Sequence, residues 1–197
     1  MFALVESGSI TKYLNGNKGI TIGDNQYPRA IYTLWTEAER NAINIYTVEI
    51  DETNKKDEKW YINTDITYAF GSGKVTGSYG SATAKAHADA NAVDENGDEL
   101  DPVVVIEGLK TQLIRTVKSQ AAGELNRTDW YITRKSEKNT AIPSAITTHR
   151  DLVRSRQAAM ETSITNASDT PALETLYTYT EDSDGVVSRP LAIIPTL

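Results

Sequence analysis

Few side chains in this sequence could do chemistry, and their spacing argues against most reactions. His87 and His149 are the only histidines, too few for a histidine-rich metal site, and both read as solvated side chains. Asp94, Asn96 and Asp98 are spaced like the start of a calcium loop. The glycine comes too early, at Gly97, and Val105 stands where a bidentate glutamate is required, so the run reads as a turn. Gly71, Ser72, Gly73 and Lys74 lack the spacing and the following helix of a phosphate loop. The acid pairs Asp51/Glu52 and Asp57/Glu58 lie in polar runs, where nothing desolvates one carboxyl to make a general acid of it. With no cysteine in the chain, disulfides, thiolate catalysis and cysteine-ligated metals are excluded. The expectation is a non-enzyme with no cofactor and no metal.

The aromatic residues are the richer resource: ten tyrosines and three tryptophans. Trp60, Tyr61 and Tyr68 fall in strand-like runs, as an open platform for a sugar ring or as one face of an ordinary core; the core is the simpler reading. Trp130 and Tyr131 lie beside Arg134 and Lys135, a group suited to holding two helices together or to meeting a partner.

The 197 residues make one ordinary domain or two small ones, and 39% hydrophobic with 24% charged content fits a folded chain. The first residues lack a basic region and their apolar run stops at Glu6, unlike a signal peptide. No apolar run approaches the roughly 20 residues of a membrane span; the chain reads as soluble. A net charge of −7 argues against nucleic acid as the main partner. Between Glu107 and Gln157 basic residues outnumber acidic ones ten to five, so this segment is +5 and the remainder −12. That suits two solvated helix faces, or pairing with an acidic neighbouring subunit.

The elements that must position these residues divide the chain into four parts. Residues 1–80 read as a small, mostly antiparallel β unit with one short helix. Its signals are a hairpin over residues 2–14 turning at Ser7 and Gly8, a helix capped by Thr36 with Glu39 reaching back, a strand from Ile45, and strands over 60–70 and 74–79. Residues 81–101, alanine-rich and then acidic, read as a linker. Residues 102–166 read as an antiparallel helical hairpin. Asp101 caps the first helix and Pro102 opens it; Ile106, Leu109, Leu113 and Val117 form one side of the seam. Ser144 caps the second helix, whose Ile146, Val153 and Met160 recur every seven residues. Residues 127–144 are the connection, with Trp130, Tyr131 and Ile132 folded back on the helices, and Trp130 and Pro143 fixing the geometry. A tryptophan buried there is worth about 3–5 kcal/mol on truncation to alanine. Residues 167–197 read as a short helix and an extended, proline-broken tail. The fold class is α+β.

Across the hairpin, Gly108–Thr111, then Thr128 to Glu137 with its Asp129-Trp130-Tyr131 run, then Thr140 to Ser144 with Ala141-Ile142-Pro143, and Arg150, form a pattern. With the first fourteen residues, it resembles a family of small tail proteins of tailed bacteriophages, described as tail-fibre-associated or tail-fibre-assembly-like. The resemblance covers about residues 107–157 and 1–14, and is weak between. It implies a structural or interaction protein of the virion, assembled in the host cytoplasm: a tail, baseplate or fibre-attachment component with itself or other tail and fibre proteins as partners. An assembly chaperone for the fibre is the alternative, and a module binding a host surface glycan through Trp60 and Tyr61 a third. It carries over no catalytic residue.

Overall fold

The structure is a computed structural model describing all 197 residues, which form two compact units, Met1–Thr83 and Ala84–Leu197. The fold is α+β, with six helices and a curled, antiparallel-rich sheet in the first unit.

In the first unit β1 (Phe2–Glu6) and β2 (Ser9–Leu14) form a hairpin. Its turn residues Ser7 (φ 51°) and Gly8 (φ 77°) are both left-handed, as a two-residue turn matching strand twist requires. A two-stranded ribbon, β3 (Ile20–Ile22) with β4 (Asn25–Tyr27), follows. Two short helices come next, α1 (Ile31–Leu34) and α2 (Glu37–Ala42), rather than the one expected. The capping box at α2 is formed: the Glu39 amide donates to Thr36 Oγ1 and the Thr36 amide to Glu39 Oε2, at 3.3 and 2.7 Å. Then come β5 (Ile45–Asp51), β6 (Tyr61–Ile62), β7 (Ile66–Gly71) and β8 (Lys74–Tyr79). The main sheet runs β2-β1-β5-β8-β7, antiparallel except for a parallel β5–β8 pair. It curls until its edge strands meet, with the Tyr13 and Tyr68 rings 5.2 Å apart. Alternate residues of β1 face opposite sides. Leu4 packs with Leu14, Ile20, Ile31, Tyr32 and Ile45, while Ala3 and Val5 pack with Val75.

The second unit begins within β9 (Thr83–Ala84). Residues 86–108 form neither the linker nor the helix start expected of them. Here β10 (Ala90–Asn91) pairs antiparallel with β11 (Val105–Ile106), and the ribbon turns back through Asp94, whose Oδ1 accepts the amides of Asn96 and Asp98. Val103, Val104, Val105 and Ile106 are β-branched; Val105 and Ile106 pair with Asn91 and Ala90, and the Val104 carbonyl accepts the Ala92 amide, which outweighs the capping signal at Asp101 and Pro102. The first long helix, α3 (Leu109–Asn126), therefore starts eight residues after Asp101. Its cap comes from far away in sequence: Asp89 accepts the Gly108 amide at 2.8 Å and the Thr111 hydroxyl at 2.8 Å. Leu109 and Lys110 donate their amides to the carbonyls of Ala86 and His87. The unpaired amides of the first turn are thus satisfied by the supposed linker.

Residues 127–144 are not a folded-back connection either. They contain a helix, α4 (Asp129–Lys138), which ends at Asn139 in the left-handed conformation. Only residues 139–143 join it to α5 (Ser144–Asn166), whose N-cap is Pro143, with no side-chain cap from Ser144. Contacts Lys110 to Thr165, Lys118 to Glu161 and Arg150 to Leu125 set α3 and α5 antiparallel. The chain closes with α6 (Thr170–Tyr177), capped by Asp169, and a short hairpin of β12 (Thr180–Glu181) with β13 (Val187–Ser188). The tail then folds back on the unit: Leu191 is buried and donates its amide to Leu176.

Candidate functional site

Leu109, Leu113, Val117, Ala121 and Glu124 are the buried residues of α3; Ile146, Arg150, Val153, Met160 and Ile164 are those of α5. Ile106 is not among them: it lies in β11 and is 58% exposed, because the helix starts after it. Two stripe positions are charged, and these two residues organise the end of the hairpin.

Arg150 reaches across to the end of α3. Its Nη1 lies 2.8 Å from the Leu125 carbonyl, 2.7 Å from Thr128 Oγ1 and 2.8 Å from Asp129 Oδ1. Thr128 is fully buried and donates its own hydroxyl to Leu125. This knot ties the junction of α3 with α4 to α5. It occupies the place expected of Trp130 and Pro143. Trp130 itself is 51% exposed, because a continuous helix from Asp129 points its ring away from the α3–α5 seam. Its ring stacks on Tyr131 with centroids 3.9 Å apart, and the Arg134 guanidinium lies 4.6 Å from the Trp130 centroid and 5.2 Å from that of Tyr131. Such stacking stiffens both rings and the arginine between solvent and helix. Lys135 is exposed on the same helix, and Ile132 is exposed on the side away from Trp130. The result is an aromatic and cationic surface.

Glu124 is the second charged stripe residue. It accepts from Arg127 Nη1 at 3.0 Å and from the Leu197 amide at 2.7 Å, and its Oε1 lies 3.0 Å from His149 Nε2. Burial pushes its carboxyl pKa up; the Leu197 amide, Arg127 and His149 outweigh burial and leave it below the ordinary carboxylate value. The carboxylate is therefore a tie between α3, α5 and the tail. His149, expected in solvent, has a side chain only 10% exposed. Beside Glu124 a cleft of about 490 Å³ is lined by Gln120, Arg127, Arg189, Ile193 and Thr196. Arg189 is held there by stacking on Tyr177 and Tyr179.

The other candidates are dispersed. Trp60 is buried, with Lys59 Nζ 4.3 Å from its ring centroid, so it offers no face to a sugar. Tyr61 is half-buried in β6, and Tyr68 is half-buried against Tyr13. A polar hollow of about 600 Å³ between Lys12 and Tyr32 holds two lysines and no acid. No three acidic, histidine or cysteine side chains converge as a metal would require, and no helix is long and apolar enough to cross a membrane.

Arg150, Thr128 and Glu124 carry the geometry, and sequence reading assigned them no such role. A signal was there for two of them: Arg150 falls between Ile146 and Val153, and Glu124 follows Ala121, both on apolar stripes. A charge on such a stripe implies a buried partner. For Thr128 there was none.

Comparison with protein-family models, with curated proteins and with solved structures returns no match for this chain.

Proposed function

We propose that this chain is a structural and interaction protein of a bacteriophage virion, a tail, baseplate or fibre-attachment component, without catalytic activity. One observation carries the docking role: the half-exposed stack of Trp130, Tyr131 and Arg134 on α4, beside a helical hairpin whose own seam is filled. Rigid aromatic and arginine side chains are the residues that anchor protein interfaces. The Arg150 knot pre-organises the surface, which lowers the ordering cost of binding. The virion assignment rests on the resemblance of residues 107–157 to phage tail proteins, and α4 is the centre of that segment. Burial of Trp60 counts against the glycan-binding alternative.

Mass spectrometry of purified particles and of infected cells tests this. The chain is expected in the particles. Presence in infected cells with absence from particles would overturn the virion role and favour the fibre-assembly chaperone.

A further inference from the structure

The two ends of α3 carry matched surfaces of opposite charge. At its start, Val103, Val104, Val105 and Ile106 are 58%, 49%, 54% and 58% exposed. Val105 and Ile106, the two residues of β11, point to opposite faces of the ribbon, and their β10 partners Asn91 and Ala90 are exposed as well. Two strands alone are marginal in water, and a contiguous exposed apolar run marks an interaction site. Residues 86–109 also hold seven carboxylates and no lysine or arginine. At the other end, α4 exposes Trp130 with Lys135 and Lys138. The charged residues of α4 are Arg134, Lys135 and Lys138 against Asp129 and Glu137, and Asp129 is paired with Arg150.

The 18 residues of α3 rise about 27 Å, and the helix separates the two surfaces. One copy cannot close its ribbon onto its own α4. We propose that the acidic, valine-rich ribbon of one copy docks on the basic, aromatic α4 surface of a second copy, head to tail. Charge complementarity selects this arrangement over ribbon-to-ribbon pairing. In an antiparallel pair of identical ribbons centred on the apolar run, Asp101 of one copy faces Glu107 of the other, and like charges directly opposite destabilise. In the head-to-tail contact, Asp101 and its neighbours meet Lys135 and Lys138 around an apolar centre. The flanking charges then set the association rate and its salt dependence, while Val104, Ile106 and Trp130 supply the hold. Such a contact repeats, giving a ring or a filament.

The inference rests on α4 being a docking surface and not on the virion assignment; self-assembly and presence in particles are read separately. The test is sedimentation velocity of the full chain over a concentration series at low and high salt, with two variants. Val104→Ser with Ile106→Ser disables the ribbon; Trp130→Ala with Lys135→Glu disables the α4 surface. Wild type is expected to assemble with concentration and to weaken in high salt, and each variant alone to be monomeric. Equal mixtures of the two variants are expected to form dimers and stop there, because each pair has one intact ribbon and one intact α4. All four substituted side chains are exposed, and circular dichroism checks folding. If either pair misfolds, Val105→Thr or Lys138→Glu takes its place. A wild type that stays monomeric overturns the proposal. So do variants that assemble like wild type, or a mixture that stays monomeric while wild type assembles.

Discussion

Replacing Arg150 with methionine keeps most of the aliphatic stem and removes the guanidinium from the α3–α4 junction. The side chain is 9% exposed, and its Nη1 serves Leu125, Thr128 and Asp129. The three contacts do not count equally. Asp129 is 53% exposed and returns to water when the arginine goes, so that pair is worth only about 0–1 kcal/mol. The Leu125 carbonyl keeps the Thr128 amide and hydroxyl, both at 3.0 Å, and is not orphaned. The loss is mainly the charge-assisted bond to the buried Thr128 hydroxyl, about 1.5–3 kcal/mol. Relief from burying the guanidinium, whose Nε has no partner, offsets part of it. Arg150→Met is therefore expected to cost about 2 kcal/mol, with faster hydrogen exchange at Thr128 and Tyr131. Trp130→Ala removes a half-exposed ring stacked only on Tyr131 and Arg134 of its own helix and is expected to cost about 1 kcal/mol or less. Urea denaturation followed by circular dichroism, with exchange of those amides, measures both. The reasoning fails if Arg150→Met lies within about 0.5 kcal/mol of wild type, or if Trp130→Ala is the more damaging change.

Two further outcomes are expected. A carboxyl whose pKa is lower in the folded than in the unfolded chain adds stability that is complete above the unfolded value, near pH 4.3 for glutamate, and is lost as pH falls through the folded value. Glu124, held low against burial by the Leu197 amide, Arg127 and His149, should thus steepen acid unfolding. Glu124→Gln should flatten that limb and loosen the tail in hydrogen exchange; an unchanged acid limb contradicts it. At Gly108 a Cβ would sit 2.4 Å from the backbone carbon and oxygen of Ala88, and backbone cannot rotate aside. Gly108→Ala is expected to cost about 1–3 kcal/mol in thermal or urea unfolding; a neutral result would refute close packing of residues 86–89 on the start of α3.

Sequence alone determined the elements whose causes are local. The hairpin at Ser7 and Gly8 and the box at Thr36 and Glu39 each need only residues within three or four positions of one another. The α+β class follows from the change of period between the two halves. The signals for α4 were also present: Asp129 in its first turn, Lys135 and Lys138 in its last and Asn139 beyond. They were outweighed by an aromatic run that read as a fold-back.

Tertiary structure decided the rest. The start of α3 depends on Asp89, nineteen residues before Gly108, so no local window contains its cap. The parallel β5–β8 pair and the ribbon that replaces the linker are non-local pairings, invisible to periodicity. Arg150 and Thr128 are 22 residues apart, and only the antiparallel closure of α3 on α5 brings a cation on one apolar stripe to a hydroxyl beyond the end of the other. A charged residue on such a stripe announces that a partner exists; which residue it is depends on how the helices meet.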